Sequence, residues 1–344
     1  MARRDERPMT TTQARPTRAR RLATWSISVV NGYVGDFLRS RDNALAIEMA
    51  FYRAGRPLPL TPAALRRAYP DATPKLCILV HGLACSESTW MFPDPDAPMR
   101  DTSYGALLER DLGYTPFYLR YNTGLPIADN GRNLAALMAR LVAAYPTDVD
   151  DIALIGHSMG GLTLRSACHY GADAGAAWVQ KVRQVFYLGT PHEGAPLVKI
   201  GHALMGALHT IPDPITRLIG DVIDVTSQGI KDLRDGTFVA ADDVAETARE
   251  LNVPWLPHAS HHMIVASLGR DPSHPASIIL GDGLVSVSAA HAKSAHGDDR
   301  PANHHVRFMP QMSHLQLTRD MEVYAQIRDW CAGESLADPR SPGK

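Results

Sequence analysis

No uninterrupted apolar run in these 344 residues approaches the ~20 that a membrane-crossing helix needs. Net charge is nearly absent too. The 35 basic residues stand against 36 acidic ones, so the whole-molecule field gives no reason to expect nucleic acid or an acidic partner. Cysteine is scarce: Cys77, Cys85, Cys168 and Cys331 are scattered without the spacing of metal ligands. They read as reduced thiols, mostly buried, which favours a reducing, cytoplasmic compartment. The arginine-rich start is not followed by a clear small-x-small cleavage site, so an export signal is the minor reading, kept open only by the pair Arg20-Arg21.

What charge asymmetry there is sits at that start, in Arg3, Arg4, Arg7, Arg15, Arg18, Arg20 and Arg21. Residues 1–22 are expected to form a basic disordered tail able to touch an anionic membrane surface, which makes the chain cytoplasmic with a peripheral option. Residues 23–70 are expected to be a helical extension, with 44–47 and 49–52 supplying apolar surface before Pro57, Pro59, Pro62, Pro70 and Pro74 end the helices in a linker. The main domain is then 71–332, large enough for one sizeable core, and 333–344 is a second disordered tail.

The main domain is organised around residues 151–161, where the apolar run Ile152-Ala153-Leu154-Ile155 leads into Gly156-His157-Ser158-Met159-Gly160-Gly161. A short branched run with no charge predicts a strand buried on both faces of a parallel sheet, and the residues after it predict a helix. A serine on such a strand-to-helix turn is forced toward a strained backbone, while Gly156 and Gly160 remove the side chains that would collide across it. Ser158 is therefore the candidate nucleophile.

A matching junction precedes it. The run 75–80 predicts a strand ending at His81-Gly82-Leu83, where a backbone N–H can meet an acyl oxygen as it becomes an anion. Leu83 N–H and Met159 N–H are the candidate oxyanion donors. Further on, the pattern predicts a helix over 104–112, a strand over 115–121 with Tyr121-Asn122-Thr123-Gly124 at its exit, and a core-facing helical stripe from Leu134 to Tyr145. A strand over 182–188 leads to Thr190-Pro191-His192, where His192 suits a structural or rim role better than that of a base. His81, Tyr121 and His157 are candidate substrate contacts on the same rim.

Between about 197 and 257 the alternation of strand and helix stops. Two apolar helical faces divided by Pro212 and Pro214 read either as ordinary packed helices or as a cap that receives an acyl chain and excludes water. The sheet resumes over 262–268. Asp282, between Gly281 and Gly283, is the candidate acid, in a tighter turn than Asp271 or Asp224. A strand over 305–309 precedes His314, which lies in a loop before a helix over 319–331; of fifteen histidines it alone is well placed to be the base.

The order serine, acid, histidine, each beyond the carboxyl end of a strand, predicts acyl transfer with no metal and no cofactor. His314 takes the proton of Ser158 during attack and returns it to the leaving alcohol, Asp282 fixes the imidazole, and water releases the acyl group. Acyltransferase and thioesterase activity use the same groups, and a non-catalytic binding module on this fold is the alternative from another class.

The segments Val80-His81-Gly82-Leu83, Gly156-His157-Ser158-Met159-Gly160-Gly161, Leu188-Gly189-Thr190-Pro191-His192, Gly281-Asp282-Gly283-Leu284-Val285 and Ser313-His314-Leu315 resemble the α/β-hydrolase superfamily. Within it they are similar to bacterial lipases and esterases related to the GPI inositol-deacylase-like group. The resemblance covers roughly residues 75–330. It implies a mostly parallel central sheet flanked by helices, carboxylic-ester hydrolysis of a small-molecule acyl ester with an apolar chain, and the same nucleophile, acid, base and oxyanion positions. Ser313 stands where an asparagine is common, and Cys85 follows the oxyanion loop.

Overall fold

Branched apolar residues without charge find a stable place only where both faces of a strand are covered. Residues 76–80 and 152–155 are in that position, each at most 1% exposed. The computed structural model describes residues 18–97, 100–195, 227–240, 254–271, 281–286 and 303–333. In chain order these form α1 (Arg18–Ser40), β1 (Ala50–Arg53), β2 (Arg56–Pro57), α2 (Pro62–Ala68), β3 (Lys75–Val80), β4 (Phe92–Pro93) and β5 (Asp101–Thr102). There follow α3 (Tyr104–Leu112), β6 (Thr115–Arg120), α4 (Ile127–Ala144), β7 (Asp151–His157), α5 (Met159–Asp173) and β8 (Val182–Leu188). The chain closes with α6 (Gln228–Asp235), β9 (Ser260–Ser267), β10 (His304–Pro310) and α7 (Met321–Cys331).

Among the described residues one sheet of eight strands runs in the order β10-β9-β8-β7-β3-β6-β1-β2. From β10 to β6 every neighbouring pair is parallel, while the pairs β6–β1 and β1–β2 are antiparallel, so that β1 alone runs against the rest. The pleat sends alternate residues of β3 to two cores. Leu76, Ile78 and Val80 meet Leu134 and Leu141 of α4 and Leu164 of α5 in one core. Cys77 and Leu79 join Leu107 and Leu108 of α3 and Tyr324 and Ile327 of α7 in the other. The sheet is thus covered on both sides, as parallel strands require. After β3 the chain adds β6 on one flank and then β7 on the other. This reversal opens a crevice at the carboxyl ends of β3 and β7, the usual place for a ligand in such a sheet.

The N-terminal extension departs from the helical expectation in two places. Residues 50–53 form strand β1, pairing Phe51 with Leu119 and Tyr52 with Tyr118, and Phe51 is fully buried in the core. Aromatic side chains suit a pleated, half-buried surface, and the two-residue turn Ala54-Gly55, with φ of 52° and 68°, has the left-handed backbone that a tight hairpin into β2 needs. Pro62, expected to lie in a linker, instead opens α2, where its missing N–H costs nothing; the Thr61 hydroxyl accepts from Ala64 N–H at 3.2 Å. Helix α1 begins at Arg18, so the expected boundary of a disordered tail at residue 22 is too late. Residues 1–17 and 334–344 lie outside the described residues, as does most of the expected cap. Of the latter, α6 is described: Ser227 caps its start and Gly236, at φ 67°, ends it. Instead of the loop expected at His314, a short 3-10 turn spans His314–Thr318, with Ser313 N–H and Oγ both bound to Gln316 Oε1.

Helix α1 is bent at Val34 (φ −135°, ψ 25°). The carbonyls around the bend are bonded from outside the helix: Gly32 O accepts from Ser227 Oγ at 2.7 Å, Tyr33 O from Ser227 N–H at 3.0 Å and Gly35 O from Asn122 Nδ2 at 2.8 Å. Fully buried Asn31 clamps the following segment, donating to Leu45 O at 2.8 Å and accepting from Ile47 N–H at 2.9 Å. A helix tied down by polar groups in a buried setting is specified in register, because each misplaced partner carries its own desolvation cost. Replacing Asn31 by Ala strands both backbone partners, and an equilibrium urea titration is expected to read a loss of about 1–3 kcal/mol; an unchanged midpoint would show that α1 is not held this way.

Candidate active site

Ser158 is the only residue between β7 and α5, and it takes φ 54° and ψ −127°. For a residue with a side chain this backbone costs on the order of 1–3 kcal/mol, so the surroundings must impose it. Ser158 N–H donates to Leu188 O of β8 at 2.9 Å, and Ser158 O accepts from Gly161 N–H at 3.0 Å. The two small residues expected from the sequence leave no room for anything larger. A Cβ on Gly160 would lie 2.3 Å from Val80 O, and one on Gly156 would lie 2.6 Å from Gly161 Cα. Helix α5 is therefore pressed against the ends of β3 and β7, with the serine at its tip.

The oxyanion candidates come from two different kinds of backbone. In the loop after β3, Ala84 has φ 57°, its N–H donates to Thr123 Oγ1 at 3.0 Å, and Cys85 N–H donates to Gly82 O at 3.3 Å. These bonds fix the loop while using up the neighbouring donors. Leu83 N–H has no acceptor among the described residues, and Leu83 lines the same cavity as Ser158. Met159 opens α5, so its N–H has no partner within the helix.

Asp282 and His314 are joined two ways. His314 Nδ1 lies 2.6 Å from Asp282 Oδ2, and His314 N–H donates to Asp282 O at 3.0 Å. The second carboxylate oxygen accepts from Leu284 N–H at 3.0 Å and Val285 N–H at 2.8 Å. Burial alone pushes the Asp282 pKa up; the His314 charge and hydrogen bond, with the N–H groups of Val285 and Leu284, outweigh it and hold the carboxyl below its ordinary value. With Nδ1–H facing the carboxylate, His314 Nε2 is left as the acceptor. That ring and Ser158 line one cavity, with no hydrogen bond between them among the described residues.

His157 lies beside them. Its Nε2 is 3.0 Å from His314 O and its ring packs 4.6 Å from that of His314, so it positions the histidine while itself facing the cavity. Burial, then the neighbouring His314, lowers its pKa to about 3, which keeps it a neutral donor. His81 and Tyr121 are not brought to the cavity. Both are fully buried, stacked with centroids 4.7 Å apart behind the loop after β3, and Tyr121 Oη donates to His81 O at 2.9 Å. They buttress the loop. His192 is buried against Tyr187 and Trp255 and lies 3.4 Å from an Arg165 nitrogen, a structural place as expected.

The cavity residues that the sequence does not single out include Trp25 and Val29 of α1 and Leu233 of α6. Trp25 and Val29 fall in the stretch expected to be helical, but nothing local there points to Ser158, more than 100 positions away in the chain. Thr123 was placed at the rim without its role as the acceptor that fixes Ala84.

The mostly parallel sheet flanked by helices, with a strained serine between strand and helix and an Asp–His pair beyond later strands, is the arrangement that the resemblance to the α/β-hydrolase superfamily implies. Residues 126–239, about a third of the chain, match the family model described as PGAP1-like alpha/beta domain. The chain is 33% identical over 156 residues to a triacylglycerol lipase of Burkholderia plantarii, a stretch that makes up 44% of this chain and 39% of that relative's length. Similar solved structures include the Rhodococcus sp. ECU1013 esterase RhEst1, with a TM-score of 0.44 and 16% identity over 76% of this chain and 91% of that one. Aspergillus fumigatus lipase B aligns with a TM-score of 0.45 and 13% identity over 83% of this chain and 60% of its own.

Two expectations arise from this geometry. Gly189 has φ 58°, and a Cβ there would lie 3.0 Å from Asp282 Oδ2 and 3.1 Å from His314 Cε1. Gly189→Ala should therefore slow labelling of Ser158 by a fluorophosphonate on the order of 10²-fold by displacing the pair, and labelling at the normal rate would show that the pair tolerates the intrusion. The second concerns acid. Burial lowers His81 and His261 to about 4 and His157 to about 3, below the ~6.5 of an unfolded chain. Between those values the unfolded state binds protons that the folded state refuses, so stability falls as pH falls, by up to about 1.4 kcal/mol per pH unit for each group. The depressed Asp282 adds to the loss only at lower pH, as acid protonates it. The thermal midpoint should drop steadily from pH 6.5 to 4.5; a flat profile would mean that these rings are not held neutral.

Proposed function

We propose that this protein hydrolyses carboxylic esters through an acyl-enzyme formed on Ser158. The observation that carries the reading is the 2.6 Å contact of His314 with Asp282, on a ring that lines one cavity with a strained serine. His314 Nε2 accepts the Ser158 hydroxyl proton as Oγ attacks the ester carbonyl carbon. The carbonyl oxygen becomes an oxyanion between Leu83 N–H and Met159 N–H, whose dipoles are already oriented and need no reorganisation. Asp282 stabilises the imidazolium and holds its tautomer. As the carbon–oxygen bond to the alcohol breaks, His314 returns the proton to the leaving oxygen. A water molecule then attacks the acyl-enzyme with His314 again as base, releasing the carboxylic acid and restoring Ser158.

The substrate class follows from the walls. Val29, Leu233, Leu284 and Leu315 give the cavity an apolar lining, which suits an acyl ester with a hydrocarbon chain. The named activity of the Burkholderia plantarii relative supports the same class.

Ser158→Ala is expected to lower turnover of p-nitrophenyl butyrate by about 10⁶-fold, because the groups act as a unit. Asp282→Asn should cost about 10⁴-fold through the wrong tautomer, with the fold retained by circular dichroism. A Ser158→Ala protein with near-normal rates would refute the assignment. Full activity in Asp282→Asn would move the acid's role elsewhere, with Asp271 the first alternative.

A further inference from the structure

Helix α1 precedes every element of the parallel sheet, yet it forms one wall of the cavity. Trp25, Val29 and Gly32 stand at i, i+4 and i+7, a single stripe of the helix. The first two line the cavity with Ser158, and a Cβ on Gly32 would lie 2.9 Å from the Ala84 Cβ, so the stripe is laid directly on the oxyanion loop. The helix cannot drift from that loop, since Asn31, Ser227 and Asn122 tie it on three sides. Val29 is fully buried, whereas Trp25 is half-buried at the open side.

The reaction geometry says which part of a substrate this wall meets. At the tetrahedral carbon the oxyanion points to Leu83 and Met159, and the leaving oxygen must face His314 to receive its proton. The acyl substituent then lies on the side away from His314. Leu284, Val285 and Leu315 adjoin Asp282 and His314 in the chain and belong to the alcohol side, while the α1 stripe adjoins the oxyanion loop. We propose that Trp25 and Val29 of α1 form the acyl-chain wall and set the acyl length the enzyme accepts. The inference rests on the ester-hydrolase reading above and adds the residues that select among esters.

The test uses the full chain and two series of esters: p-nitrophenyl esters with acyl chains of 2 to 12 carbons, and acetates of alcohols from ethanol to octanol. Val29→Phe should reduce the ratio of the 8-carbon to the 2-carbon acyl rate by at least about tenfold, the scale on which a methylene-sized change in an apolar pocket discriminates. Trp25→Ala should raise the relative rate on the 12-carbon ester, and neither substitution should reorder the acetate series. Acyl profiles unmoved in both variants, or a change confined to the acetate series, would overturn the proposal. Binding of a fluorescent fatty acid to Ser158→Ala, with and without Val29→Phe, reads the wall without turnover: at least about tenfold weaker binding in the double variant is expected. If no ester is turned over by the wild type, the hydrolase reading falls, while equal fatty-acid binding by the two proteins would sink the acyl wall on its own.

Discussion

Ser158 holds a backbone conformation that an L-residue adopts only under constraint, and four separate parts of the chain meet there to impose it. The ends of β3 and β7 press on α5 where Gly160 and Gly156 permit it, and Leu188 of β8 takes the serine N–H. The strain of ~1–3 kcal/mol is thus spread over sheet contacts that the protein needs for its core in any case. The same compression aims the first turn of α5 at the crevice, so the hydroxyl and the Met159 N–H are delivered together. Loosening any one strand would relax the serine and withdraw both.

Environment, more than residue type, sorts the histidines around this point. His81, His157 and His192 are all buried, and desolvation keeps each neutral, leaving them as fixed hydrogen-bonding and stacking parts of the walls. His314 differs by having a carboxylate at 2.6 Å that is itself held ionised by two backbone N–H groups. In the proposed chemistry this division matters, because a second basic ring beside Ser158 would compete for the proton; His157, with a pKa lowered to about 3, does not.

Where the sequence carried a short-range physical signal, the structure was legible in it. The glycines around Ser158, the branched strands and the stripe of α4 follow from sterics and periodicity, and Gly281-Asp282-Gly283 follows from turn chemistry. Strand β1 was misread as helix because Ala54-Gly55 is an unusual pair for a tight hairpin, and only pairing with β6 decides the matter. The cavity wall in α1 was invisible for a different reason. Trp25 and Val29 form an ordinary apolar helical face, and its meaning comes from Gly32 meeting Ala84 some fifty residues later. Long-range packing of this kind leaves no local trace.

The family match over residues 126–239 contains Ser158 and Met159, but not Leu83, Asp282, His314 or any part of α1. The matched stretch thus takes in the strained turn, the feature with the narrowest steric tolerance, since few sequences can pass a helix that close to two strand ends. The walls face no such restriction: an apolar residue of any suitable size at positions 25 and 29 keeps the helix docked through Asn31 and Ser227 while changing the space beside the loop after β3. In the proposed chemistry, reaction type and substrate range are consequently set by separate parts of this chain. One is fixed by backbone geometry, and the other is adjustable by side-chain volume on a helix that lies ahead of the sheet.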